Sequence, residues 1–357
     1  MRSQNLSTTA LALSLVTLGS SLAAAQPLLT LKDPQREATV VVGLLSQPTV
    51  AWEKVGDADG SGSVYVRRLR IIGAGNITRK LKFFLDSDTP NLGREMSGVR
   101  EHVTYLQDLV VTYAFKDELQ VEGGLLLVPE SYNSLQSAAS LLTVGYGPYS
   151  FVSSAPTTSK VGRDQGVQAR GYLAGKHLEY RVAALRGIRE IDPHAPVRTA
   201  ARVAWHVFEP QTGLFYAGTT QGQKKLLVLG ASVDRQDGYG ASAVDAFYER
   251  PVRDRDAVTC QVDVIHYDGG ATLRQLPRQN TWLLETGYTW GRRRLGAFAQ
   301  AAGQHLAGGT RTTNWQVGGA WWLRGHRANL KAGVGRVTRG GSSTSTQVSL
   351  QTQVFAF

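Results

Sequence analysis

The sequence predicts an all-β chain: a transmembrane antiparallel β-barrel of about 16 strands. Three observations lead there. The stretch Val64–Asp88 alternates polar and apolar residues on both sides of a Gly/Asn turn. The same two-faced unit recurs to the C-terminus. After the N-terminal segment, no apolar run reaches the length that a membrane helix needs.

In the hairpin, Tyr65, Leu69 and Ile71 share one face, and Val66, Arg68, Arg70 and Ile72 the other. Beyond a turn at Gly73, Gly75 and Asn76, Leu81, Phe83 and Leu85 lie opposite Lys80, Lys82, Phe84, Asp86 and Asp88. Successive strand side chains point to opposite faces, so one wall surface is greasy and the other charged. A soluble sheet turns its greasy face to a core. A membrane barrel turns it to lipid and lines a watery lumen with the charges.

The N-terminus predicts a cleaved signal peptide over residues 1–25. Arg2 gives the positive start, Ala10–Leu18 the apolar run, and Ala23-Ala24-Ala25 the small-residue cleavage site. Residues 26–357 then form one barrel, without linker or second domain. The predicted strands begin with Ala38–Leu45, Val64–Ala74, Ile77–Asp86, Thr104–Phe115 and Leu119–Val128. They continue with Arg163–Ala174, Leu178–Leu185, Val197–Phe208, Lys225–Val233 and Ser242–Tyr248. Ala257–His266, Thr281–Trp290, Arg293–Ala301, Asn314–Trp322, Ala328–Arg336 and Thr344–Phe357 complete the set, with Pro48–Lys54 and Gly213–Thr220 ambiguous.

Tight turns at Gly75-Asn76, Lys116-Asp117, Gly175-Lys176, Gly291-Arg292 and Gly325-His326 alternate with longer interruptions. These are Asp57–Ser63, Thr89–Glu101, Val128–Val161, Ile188–Pro196, Asp234–Gly240, Tyr267–Gln279, Ala307–Thr310 and Arg339–Ser343. Short turns on one side and long loops on the other are the rhythm of an outer-membrane barrel. Propellers also repeat strands, but this chain lacks their fixed period of similar blades.

Trp282, Tyr288 and Trp290, then Trp315, Trp321 and Trp322, cluster toward strand ends, where aromatic side chains mark a membrane–water interface. The chain ends on Phe357 after Phe355, with Val348, Leu350 and Val354 of opposite parity. Such a terminal aromatic resembles the signal that barrels present to their insertion machinery. The lone cysteine, Cys260, excludes an internal disulfide and reads as a small wall residue.

The net charge of +11 points to anionic partners: solutes, or the anionic lipid of a bacterial surface. An exported chain with no basic run and no recognisable binding module has no nucleic-acid role. No cofactor or metal is implied. Asp57-Ala58-Asp59-Gly60-Ser61-Gly62 begins like a calcium loop, but Arg68 stands where the closing Glu belongs, so it reads as a polar turn. Hydrolase and nucleotide motifs are missing, and the seven histidines have no ligand spacing.

The chain resembles the phosphate-selective porin O and P family. The likeness rests on Val66-Arg67-Arg68-Leu69-Arg70-Ile71 leading into Lys80-Leu81-Lys82-Phe83-Phe84, and on Leu106–Tyr113 followed by Leu119-Gln120-Val121 and Gly124. It extends to Arg163-Asp164-Gln165-Gly166-Val167-Gln168 with its return strand Leu178-Glu179-Tyr180-Arg181. The resemblance implies a homotrimeric channel whose lumen arginines and lysines pass anions, helped by an inward-folded loop. Residues 128–161 are the candidate for that loop.

The expected pore-lining anion contacts are Arg68, Arg70, Lys80, Lys82, Arg170, Arg181, Arg198 and Arg202. Arginine's fork of donors suits phosphate and carboxylate oxygens. Against them stand the lumen carboxylates Asp86, Asp108, Glu122, Asp164, Glu179, Asp245, Asp263 and Glu285, which pair with arginines if neighbouring strands bring them together. The expected function is an outer-membrane porin for small hydrophilic solutes with an anion preference, phosphate being the narrower form. The alternatives are a structural or surface-binding barrel with a plugged lumen, and a barrel hydrolase.

Overall fold

Outward apolar and inward polar side chains alternate along sixteen long strands that close into one antiparallel barrel. This computed structural model describes residues 27–33, 37–96, 99–100, 102–151, 162–188, 194–253, 256–292, 294–341 and 343–357. The predicted signal peptide lies outside the described residues.

The strands open with β1 (Leu29–Asp33), β2 (Ala38–Val55), β3 (Ser61–Asn76) and β4 (Leu81–Asp88). A two-residue pair, β5 (Glu95–Met96) and β6 (Val99–Arg100), decorates the next loop. Then come β7 (Tyr105–Lys116), β8 (Leu119–Leu127), β9 (Arg163–Leu173), β10 (Leu178–Leu185), β11 (Arg198–His206) and β12 (Leu226–Gln236). The wall continues through β13 (Tyr239–Arg253), β14 (Asp256–Asp268), β15 (Gln279–Trp290), β16 (Leu295–Leu306) and β17 (Arg311–Trp321). After the short β18 (Leu323–His326), β19 (Ala328–Arg339) and β20 (Ser343–Ala356) finish it.

Each wall strand pairs with its sequence neighbour, and β20 closes the ring on β2, from Leu44↔Ala356 to Val55↔Ser345. Segment β1 pairs with the lower part of β2, Leu29↔Val42 to Asp33↔Ala38, and extends the row where β20 stops. Closure leaves no open edge, which is the condition for sheet structure in lipid.

The outward face is apolar in a way no soluble surface is. Val64, Ile71, Val167, Val182, Val203 and Val244 are each more than half exposed. Trp205 and Trp321 stand outward near the short-turn end, with Trp282 and Trp315 near the other, as two girdles should. Trp322, grouped with these in the sequence, is instead buried inside. Cys260 faces outward from β14 as a wall residue.

Three sequence expectations need correction. The first hairpin turns at Ile77–Lys80 and not at Gly75-Asn76: Ile77 and Thr78 N–H donate to Leu81 O, and Thr78 Oγ1 accepts from Lys80 and Leu81. Gly75 is required because its backbone meets Thr39, where a Cβ would lie 1.9 Å from the carbonyl oxygen. Second, β3 gains a residue against β2, since Ser46 pairs Leu69 while Pro48 pairs Val66. Pro48 cannot donate to the ladder, and the bulge sits beside it. Parity switches there, so Tyr65 faces the lumen while Leu69 and Ile71 keep the outward face.

Third, the short-turn rhythm breaks at residues 207–225, which fold into the barrel from the short-turn end. There they meet residues 128–151 coming from the other end. Gln136 and Tyr216 form a parallel bridge, Ser137 N–H donates to Tyr216 O, and Thr219 N–H to Ser140 O. Asp234–Gly240, expected to be a long loop, is instead a tight turn between β12 and β13.

The outward face carries its own test. Val244 sits mid-strand with 58% of its surface exposed. Val244→Arg is expected to destabilise the folded barrel by about 2–4 kcal/mol in lipid bilayers, measured by urea titration. Thr313→Arg, near the outer end of β17, should cost under about 1 kcal/mol.

Candidate functional site

The candidate site is the lumen, and its wall divides into two chemically distinct sectors. From β3 round to β15 the inward residues are charged, and cross-strand pairing brings them into contact. Arg70 donates to Asp86 (2.8 Å) and Asp88 (3.0 Å), and Arg163 binds both oxygens of Asp108 (3.1 and 3.0 Å). Asp86 and Asp108 are direct cross-strand partners, so each carboxylate needs the arginine beside it.

One row of three arginines, Arg170, Arg181 and Arg202, runs level across β9, β10 and β11. Their repulsion is relieved by Glu122 (3.0 Å), Glu179 (2.7 Å) and Asp245 (2.6 Å) respectively. Arg198 lies between Asp164 and Asp234, at 3.2 and 2.5 Å. His206 and Tyr216 converge on Glu179, at 3.3 and 2.7 Å.

Residues 128–151 turn this sector from wet to dry. Tyr132 stacks between Tyr216 and Phe247, with ring centroids 4.7 and 4.3 Å away, over Leu127, Leu135, Leu226 and Val228. Each buried side chain of this size contributes about 1.5–3 kcal/mol. An irregular segment inside a barrel must find partners for its backbone groups, and the wall provides them. Ser232 Oγ donates to Glu130 O (2.5 Å), Asn133 N–H to Asp263 (3.2 Å), and Gln353 Nε2 to Ala139 O (2.8 Å). Lys331 Nζ donates to the carbonyls of Leu141 (2.5 Å) and Thr143 (2.9 Å). The segment thus touches the wall all the way round, and the waist residues Gln47, Lys331, Gln351 and Gln353 are buried.

From β16 to β20 and onto β2 the inward residues are mostly amides and small groups: Gln300, Asn314, Gln316, Gln347, Ser349, Gln351 and Thr49. An outer cleft of about 770 Å³ opens against this sector. Below the waist, one cleft of about 700 Å³ is lined by Gln221, Thr289, Arg294, Trp322 and Arg324. Another, of about 390 Å³, is lined by Lys82, Asp117, Gln120, Arg170 and Lys176. There the hydrogen bond from Lys176 (2.7 Å) holds the Asp117 carboxyl below its ordinary value. A cavity of about 90 Å³ lies between plug and wall, against Arg70, Phe84, Asp86, Tyr146, Phe355 and Phe357.

The predicted contacts fall into three groups. Arg70, Arg170, Arg181, Arg198 and Arg202 are buried in the ion pairs described. Arg68 is buried without a carboxylate: its Nη1 donates to Gln47 Oε1 (2.8 Å), and its guanidinium lies over the Tyr146 ring (5.3 Å). Lys80 belongs to the exposed turn, and Lys82 reaches the inner cleft.

Among the described residues, the buried cations are Arg68, Arg70, Arg163, Arg170, Arg181, Arg198, Arg202 and Lys331. They face twelve buried carboxylates: Asp86, Asp88, Asp108, Glu122, Glu130, Asp164, Glu179, Asp234, Asp245, Glu249, Asp263 and Glu285. The positive surplus of the described residues therefore resides outside this buried set, on surface and mouths. Tyr146, Arg163 and the amides were absent from the predicted set. Arg163 was visible in its sequence block, and Gln347, Gln351 and Gln353 in their parity. Nothing local in the sequence marks Tyr146.

The family model of the phosphate-selective porin O and P proteins matches residues 52–212, the part that holds the charged hairpin and the first inward segment. Among solved structures, the anion-selective porin from Comamonas acidovorans aligns with 13% identity and a TM-score of 0.62, over 89% of this chain and all of that one. Salmonella typhi OmpF, in complex with daunomycin, aligns with 10% identity and a TM-score of 0.62, over 91% of this chain and all of that one. OmpT, an outer membrane protein of Vibrio cholerae in its trimer form, gives 10% identity and a TM-score of 0.52, over 88% and 99%. A comparison with curated proteins finds no match. The stretch 52–212 matches the porin O and P family model, and the described residues have the fold of bacterial outer-membrane porins.

The sealed ion pairs make a testable demand. Asp245→Ala leaves Arg202 buried without its carboxylate, and is expected to destabilise the barrel by about 3–5 kcal/mol. Replacing both partners with apolar residues should cost far less. Urea titrations of both variants, followed by tryptophan fluorescence, separate the two outcomes.

Proposed function

We propose that this outer-membrane porin barrel passes small hydrophilic solutes, anions ahead of cations, along the wall built by β2, β3, β4 and β8. The observation that carries the reading is a line of three cavities down that wall. The outer cleft and the small cavity share Tyr146, and the inner cleft of Lys82, Arg170 and Lys176 lies next along β3 and β4. Arg68 packs on the Tyr146 ring that the first two cavities share, and it is the buried arginine without a carboxylate partner among the described residues.

Tyr146 is the closure. Its hydroxyl donates to Gln136 O (2.8 Å), and its ring lies beneath Arg68. When that ring swings aside, Arg68 becomes the charge that a passing solute meets, and it favours anions. The surface surplus of positive charge adds to this by raising the anion concentration at the mouths. Narrow phosphate selectivity has less support, because Arg70 is already held by Asp86 and Asp88. In this reading the histidines hold the wall and plug: His206 meets Glu179, His326 the Thr219 carbonyl and His266 Asn280.

The working unit in this reading is a homotrimer, as the likeness to the trimeric Vibrio cholerae protein suggests. Phe357 serves as the signal for insertion machinery before the barrel closes. In the folded barrel its ring packs inside with Phe355, centroids 6.3 Å apart.

The filled waist favours a second reading, a plugged barrel that binds at its surface. Planar-bilayer recordings decide. The channel reading expects Tyr146→Ala to raise conductance, and Arg68→Gln to lower the anion-to-cation permeability ratio about three- to fivefold. Silence from both wild type and Tyr146→Ala would establish the plugged barrel instead.

A further inference from the structure

The amides of β16, β17 and β20 line the outer cleft without carrying charge. Across the outer cleft, Gln300 pairs level with Gln316, Gln316 with Gly335, Gly335 with Gln347, and Gln347 with Glu53. The next level down is Phe298, Gly318, Gly333, Ser349 and Ala51, nearly all small. A belt of amides therefore overhangs a shelf of missing side chains. Gln316 leans over this shelf, its Nε2 3.1 Å from where a Cβ on Gly333 would stand.

The belt is available. Gln300 is spent on Thr143 and Glu285, Gln351 on Thr49, and Gln347 on Glu53. Asn314 and Gln316 are half-buried, line the cleft and make no side-chain hydrogen bond among the described residues. Both ends of each amide, the NH₂ donor and the carbonyl acceptor, face the space.

Charge does not compete for the ligand. The ionised residues of the lining are Glu53, Arg67, Arg94 and Glu95, two of each sign, and each is engaged. Glu53 accepts from Gln347 (3.1 Å), Arg67 donates to Asn91 (3.1 Å), Arg94 lies over Tyr65 (5.1 Å), and Glu95 also has a partner. An anion entering here meets as many carboxylates as guanidiniums. A solute with many hydroxyls, each both donor and acceptor, matches paired amide ends.

We propose that the outer cleft is a recognition site for neutral polyhydroxylated solutes of mono- to disaccharide size, held by the free amides of Asn314 and Gln316 with Tyr65 on the far wall. The cleft volume falls in the range of about 300–1,000 Å³ usual for small-molecule sites. The proposal rests on the channel reading only in taking this cleft as the outer mouth. Neutral solutes then gather in the same vestibule from which anions are drawn past Arg68.

The test uses the purified full-length barrel in detergent, with maltose as probe and sodium phosphate as the competing anion, read by isothermal titration calorimetry. Single-channel recordings with maltose on the outer side run in parallel. Saturable maltose binding is expected, about tenfold weaker in Asn314→Leu/Gln316→Leu and in the milder Asn314→Ala/Gln316→Ala, with potassium chloride conductance retained. Conductance without maltose binding overturns the site and leaves the channel standing. Phosphate binding in place of maltose, lost in the same variants, also overturns the site. Maltose binding that depends on both amides in a silent barrel supports the site and overturns the channel.

Discussion

The structure depends on charge neutralisation across strands inside the wall. A porin lumen is ordinarily wet, and its charges are solvated. Here residues 128–151 remove the water from one side of the lumen, so every charge left there needs a partner or carries a large desolvation cost. The pairs Arg70–Asp86, Arg163–Asp108, Arg170–Glu122 and Arg202–Asp245 between strands, and Arg181–Glu179 along one strand, meet that need. They let an irregular segment lie against a charged wall, with Tyr132, Tyr216 and Phe247 as its apolar anchor.

Sealing one sector leaves function to the other groups. The arginine row of β9–β11 looks in outline like an anion ladder, yet each member is bound to a carboxylate and serves the plug. What remains for solutes is the neck at Arg68 and Tyr146, the basic inner clefts and the amide belt above the waist. Lys331 is the counterpart of Arg68 on the amide side. Its ammonium is spent on two plug carbonyls, so it holds the segment where Arg68 is held only by Gln47 and an aromatic ring.

The wall was largely legible in the sequence because period-two alternation is local. Leu178–Leu185 was read to the residue and most other strands within a few residues, whereas the strand expected at Ala38–Leu45 runs on through the doubtful Pro48–Lys54 to Val55. Failures came where the signal is not local. Gly75 looked like a turn residue but is there for close approach to Thr39, which only the neighbouring strand reveals. The Arg67–Arg68 bulge reverses parity beside Pro48, a strand away in sequence. Gly213–Thr220 read as a doubtful strand, although the backbone partners of Tyr216 are Leu135 and Ser137 of the other inward segment. The lumen list named the right faces, and also the carboxylates that neutralise them. It could not reveal which cation stays uncompensated, since that depends on where the plug lies.

The central claim is that the two inward segments form a packed plug rather than mobile loops in a wet pore. Amide hydrogen exchange of the folded barrel, read by mass spectrometry over residues 131–143 and 214–220, tests it most directly. Ser137, Tyr216 and Thr219 donate their N–H groups between the segments, so these peptides should be protected to the same degree as the wall strands. Exchange as fast as that of the outer loop at 269–278 would contradict the account.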